Sequence, residues 1–290
     1  MKPRLHGLFR DVGVPIRVKL LRGSGVPQDI GGREHSHDFA ELILFYDGRG
    51  VHRVDERDYP VTAGNVFVVI GDQTHAVVER TDLAYAEVTF HADRLELPAE
   101  QLKKLPGYHA LFVIEPRRRR SRRVEGHLRL GPTRLAEAMR LVESMRREYV
   151  ARAAGYEAVL VGRLIELMAF LSREYAETSA SEAKALVRVG EVVSRLENES
   201  ERPWRLSELC ALAEMSKSSL LVAFREATGH TPIDYLIRVR LRRAMRLLEA
   251  SERAVTDIAF DVGFSDSNYF ARKFRQVVGC SPSAYRAASI

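Results

Sequence analysis

Residues 206–216, LSELCALAEMS, line up with residues 255–265, VTDIAFDVGFS, at an offset of 49. Residues 220–235, LLVAFREATGHTPIDY, line up with residues 270–285, FARKFRQVVGCSPSAY, at an offset of 50. The one-residue difference falls between the two blocks, where a turn belongs. Leu209 then matches Ile258, Met215 matches Phe264, Phe224 matches Phe274, Gly229 matches Gly279 and Pro232 matches Pro282. Two copies of helix, tight turn, helix and Gly-x-x-Pro are a specific repeat signal. They call for an all-α C-terminal part with two helix–turn–helix units, at about 206–228 and 255–278.

A helix–turn–helix presents its second helix to the major groove of double-stranded DNA. The presented helices are expected from about Ser218 to Ala227 and from about Ser267 to Val277. In the second, Phe270, Phe274 and Val277 form the stripe to be buried. That turns Asn268, Arg272 and Arg275 outward, with Ser267 at the helix start. Asparagine can pair adenine bidentately and arginine can pair guanine. The first helix offers Ser218, Ser219, Leu221, Val222 and Arg225, and its leucine and valine can touch only thymine methyls. The expectation is unequal work: the second helix reads bases, and the first acts more through phosphates and DNA shape. The competing reading is the exposed polar face of an ordinary bundle.

Charge follows the same division. Residues 184–290 hold 17 Lys+Arg against 13 Asp+Glu, while residues 1–183 hold 28 against 26. A polyanion is therefore expected at the C-terminal end. Six of the N-terminal basic residues sit in one run, RRRRSRR at 117–123, which reads as a solvated loop, a second anion contact being the alternative. No stretch approaches the ~20 apolar residues of a membrane span, and the first residues lack the apolar core of a signal peptide. Cys210 and Cys280 form no CxxC pair, which suits a reduced cytoplasm.

Up to about residue 115 the chain alternates short β-type segments with turns. PIRVKLL, FAELILFY, GVHRV, YPV, NVFVVI and AYAEVTF are separated by stretches such as DGRG, DERD, TAGN and GDQT. That spacing predicts a small barrel or sandwich. Within it, HSHDFAELILFY places His35, His37, Phe39, Glu41, Ile43 and Phe45 at odd positions, so one strand would point all six to one face. Two imidazoles and a carboxylate suit a divalent metal. Phe39, Ile43 and Phe45 could wall a small polar ligand, or be plain core. Residues 132–178 switch to helical spacing, broken at Gly155, and form a helical hairpin. Val161, Ile165 and Met168 widen its second stripe, as a homodimer interface would. A polar linker follows, at 179–184.

The C-terminal residues resemble the DNA-binding domain of AraC/XylS-type transcription regulators. The resemblance is carried by Phe224, Gly229, Pro232, Tyr235, the Arg240-xxx-Ala244-xx-Leu247-Leu248 stretch, Ile258-Ala259 and Gly263-Phe264. It continues through Phe270, Phe274, Gly279, Pro282 and Tyr285-Arg286. It implies two helix–turn–helix units joined by a long helix, at about 232–248, within a domain spanning 185–290. His35, His37, Glu41 and Gly48 resemble the first cupin motif. Gly64 to His75 resembles the second, departing from it at Ile70 and Asp72. The element order through the hairpin is similar to the rhamnose-operon (RhaS/RhaR) branch of the family.

These resemblances imply an α+β two-domain chain, with a cupin-type sensory β-barrel over 1–131; the effector expected beside Phe39, Ile43 and Phe45 is small, polar and sugar-like. They add His75 to the pocket. His35, His37, Glu41 and His75 then form either a site for Zn, Ni, Mn or Fe or a metal-free polar pocket. The chain reads as a ligand-responsive DNA-binding regulator. The alternative is a metal-dependent cupin enzyme with an accessory helical domain, under which the duplicated helix–turn–helix would be idle.

Overall fold

Strand alternation builds the first part of the chain. In the computed structural model, which describes residues 4–5, 13–25, 33–95, 97–121, 127–178 and 181–289, β1 (Arg4–Leu5) pairs in parallel with β3 (Ser36–His37). The main sheet holds β2 (Ile16–Gly23), β4 (Ala40–Val54), β5 (Arg57–Thr62), β6 (Val66–Ile70) and β7 (His75–Phe90). Its order is β2-β7-β4-β5, with β6 paired to the first half of β4. β2 and β5 do not pair with each other, so among the described residues the sheet is not the closed barrel expected. One face buries Ile43, Phe45, Tyr59, Phe67, Val69, Val77 and Tyr85 as a single cluster.

The segment DGRG, expected as a turn, lies inside β4. Gly48 takes φ +70°, and the pairing with β7 shifts register between Phe45 and Asp47, Asp47 and Arg49, and Val51 and His52. Turn-type residues here bend a long strand without ending it, as bulges do. The true hairpin turn is at Asp55 and Glu56, both left-handed with φ 46° and 64°, as a two-residue β-turn requires.

After α1 (Ala99–Leu102), α2 (Pro106–Tyr108) runs through a π-type stretch, His109–Ile114, into α3 (Glu115–Ser121). The arginine run is therefore not the solvated loop expected. Residues 117–121 are helical, and Arg118 and Arg119 are buried; residues 122–123 lie outside the described residues. The hairpin is α4 (Pro132–Ala151) and α5 (Tyr156–Ala176), which pack on each other. Met168 is buried there, and Val161 and Ile165 are half-buried.

Two compact units divide the chain, Met1–Val187 and Arg188–Ile290. The boundary falls inside α6 (Ser181–Asn198). Of the linker expected at 179–184, residues 179 and 180 lie outside the described residues and the rest begin this helix.

The second unit repeats itself in its caps as well as its helices. α7 (Leu206–Leu212) and α8 (Lys217–Thr228) form the first unit of the pair, α10 (Val255–Asp261) and α11 (Ser267–Val278) the second. α9 (Pro232–Ala250) joins them, and α12 (Pro282–Ser289) closes the chain. Ser216 caps α8 and Asp266 caps α11 by accepting the backbone N–H three residues on, and Gly229 and Gly279 end both helices in the left-handed region. The two turns differ. Gly263 has φ +100°, and a Cβ there would come within 2.7 Å of the Glu201 backbone; its counterpart, Glu214, holds φ +49° with a side chain. The core around the second pair includes Leu241, Ala244, Leu248, Ile258, Phe264, Phe270 and Phe274.

Candidate functional site

The N-terminal group stands where β3, β4 and β7 meet. His35, His37, Phe39, Glu41, Ile43, Phe45 and His75 are all buried. The chain reaches this arrangement by two strands and not by one: β3 ends at His37 and β4 begins at Ala40. Phe39 stacks on the His37 ring, with centroids 4.1 Å apart.

Backbone carbonyls fix the imidazoles. His35 Nδ1 lies 2.8 Å from the Arg33 carbonyl oxygen, and His37 Nδ1 lies 2.8 Å from that of Phe39. A carbonyl only accepts, so each Nδ1 carries a proton, and in the neutral ring each Nε2 then offers a lone pair. His37 Nε2 faces His75 Nε2 at 3.1 Å and Glu41 Oε2 at 3.4 Å, and His75 Nε2 is 3.6 Å from the same oxygen. Ligand atoms of His35, Glu41 and His75 lie within 4.8 Å of one another. Lone pairs and a carboxylate gathered in a buried space repel unless a proton or cation lies among them. Burial, and then the neighbouring imidazoles of His52, His35 and His37, hold His75 well below the usual histidine range, which keeps it in the neutral, ligating form. This donor set fits a divalent transition metal.

His52 is a member that sequence reasoning missed. It is buried, with Nε2 3.4 Å from His75 Nδ1, and burial pushes its pKa down to about 3. A ligating histidine ordinarily donates its second ring N–H to an acceptor, and the neutral His52 Nε2 stands where it can accept from His75 Nδ1.

In the second unit, Asn268, Arg272 and Arg275 are exposed on α11, and Ser267 and Ala271 are half-buried beside them. The Arg272 guanidinium lies 5.3 Å from the Tyr269 ring centroid. Phe270 and Phe274 are buried as expected. Val277 is not: it is 39% exposed, and Val278 packs on the core in its place, because the inward stripe drifts by one position at the helix end. On α8, Ser218, Ser219 and Arg225 are exposed, Leu221 is half-buried and Val222 is 59% exposed. Ser216 Oγ lies 2.8 Å from Ser219 Oγ and 3.2 Å from Ser218 Oγ, so the first-helix serines are partly committed to its cap.

Residues 22–168 match the AraC-like ligand binding domain family, and residues 209–288 match a helix-turn-helix domain family. The HTH-type transcriptional activator RhaR of Escherichia coli O1:K1 / APEC is 30% identical over 263 residues, covering 90% of this chain and 88% of that protein. RhaR of Shigella boydii serotype 4 (strain Sb227) matches with the same identity and coverage, 30% over 263 residues. Among solved structures, the DNA-binding domain of AdpA in complex with a target DNA is 36% identical, covering 35% of this chain and 91% of that one, with a TM-score of 0.34. The chain belongs to the AraC family of transcriptional regulators, an AraC-like ligand binding domain followed by a helix-turn-helix DNA-binding domain.

Proposed function

We propose that this regulator responds to a small, sugar-like effector bound on the inner face of its N-terminal sheet, and then changes how a homodimer holds promoter DNA. The observation that carries the reading is the buried group of His35, His37, Glu41 and His75 set beside Phe39, Ile43 and Phe45. A few fixed polar groups among apolar walls are the usual composition of a ligand site. Val150 and Val159, exposed near the loop between α4 and α5, support pairing of hairpins between two copies. No helix among the described residues is long and apolar enough to cross a membrane, and a cytoplasmic regulator is the reading we adopt. It is preferred to the cupin enzyme because its matched relatives are transcriptional regulators. Melting of the full chain against a panel of sugars and sugar acids tests the effector. A few related compounds are expected to raise the melting temperature, and a uniformly flat response contradicts the reading.

His35, His37, Glu41 and His75 would hold a divalent Zn, Ni, Mn or Fe ion, with His52 behind His75. Bound there, the ion would supply a Lewis-acidic contact for an effector oxygen. Elemental analysis of protein purified without a histidine tag should find about one transition metal per chain. Less than roughly a tenth of an equivalent would make the group a metal-free polar pocket.

A further inference from the structure

The inner face of the sheet continues past Glu41 into polar residues. Arg17 lies opposite Thr89 in the register, Thr89 opposite Glu41, and Glu41 opposite Val69. Residues directly opposite one another place their side chains on one face, so Arg17 and Thr89 share the face of Glu41. In the next row on that face, Lys19 Nζ stands 3.9 Å from Glu87 Oε2, so that cation has a counter-charge. Arg17 differs. Among the described residues its Nε is buried without a hydrogen-bond partner, and so are Thr89 Oγ1 beside it and His91 Nδ1 two residues further along the chain. A buried polar atom left without a partner is costly unless something satisfies it. A guanidinium N–H and a threonine hydroxyl on directly opposite residues can both donate to an oxygen-rich partner of negative charge.

We propose that the effector carries an anionic oxygen group, such as the carboxylate of a sugar acid, and that Arg17 and Thr89 receive it. Its remaining polar atoms then face the His35–Glu41–His75 group. Strands lie about 4.8 Å apart, so Arg17 and Glu41 start about 10 Å apart across the sheet. Two extended side chains and a six-carbon acid cover that span. The inference rests on the reading of this face as the effector site.

Calorimetric titration of the full chain with uronic and aldonic acids, their neutral parent sugars and the matching sugar phosphates separates the outcomes. Acids, or phosphates, are expected to bind where their neutral parents do not. Arg17→Gln should weaken that binding about ten- to a hundredfold, and Arg17→Lys should recover part of it. Thr89→Val should weaken it less, and unchanged circular dichroism will show that each variant folds. Neutral sugars binding as well as their acids, or Arg17→Gln binding as the parent does, overturns the proposal and leaves the effector site standing. Binding by none of the three classes overturns both.

Discussion

Replacing Arg119 with methionine is expected to destabilise the ligand-binding domain by about 3–5 kcal/mol. The side chain is 0% exposed. Its Nη2 donates to Glu115 Oε1 at 2.6 Å and its Nη1 to the Val68 carbonyl at 2.9 Å, while the guanidinium lies 5.0 Å from the Phe67 ring centroid. Methionine fills much of the volume but takes the cation from a buried carboxylate, and that loss carries the penalty. The pair itself contributes far less than the penalty for breaking it, since desolvating two charges offsets most of their attraction. A second substitution, Glu115→Gln, should therefore restore part of the loss. Scanning calorimetry of the full chain reads both variants, and a double variant no better than Arg119→Met would mean that lost packing, and not an orphaned charge, sets the cost.

Arg272→Ala is expected to cost on the order of 1–3 kcal/mol on the chain's specific DNA site and much less on scrambled duplex. Arg272 is exposed on α11 between Asn268 and Arg275, one turn from each. The equivalent position on α8 is Val222, 59% exposed and without a hydrogen-bonding group. Val222→Ala should cost little, and should relax specificity at a thymine at most. Fluorescence anisotropy on both duplexes at one fixed salt concentration measures the difference, since salt alone moves such affinities by orders of magnitude. Equal losses of specificity from the two substitutions would put the reading face elsewhere.

The residues that sequence reasoning placed well are those governed by one local rule. Phe270 and Phe274 follow from helical spacing, and Gly229 and Gly279 from the need for a left-handed cap. Parity brought His35, His37, Glu41, Ile43 and Phe45 together although the chain bends between His37 and Ala40. Parity fails for His52, an even-numbered residue that reaches the odd-numbered face because β4 shifts register three times before it. Arg17 and Thr89 were invisible for another reason. Their relation to Glu41 is a matter of which strands pair, and alternation within a strand carries no such information. Arg119 departs from the expectation for a charge run, which is usually solvated. The signal that could have found it is Glu115, four residues earlier, at the spacing that pairs charges on a helix.

The duplicated helix–turn–helix is expected to read DNA sequence unequally from its two halves. Selection of bound duplexes from a random pool by the full chain, followed by sequencing, tests it most directly. The enriched site is expected to hold one sharply specified segment containing guanine, and a second, loosely specified segment about one helical turn, roughly 10 base pairs, away. Arg272→Ala should then blur the sharp segment and leave the other unchanged. A pool that stays random at low salt, or two segments specified equally well and equally indifferent to Arg272→Ala, would contradict it.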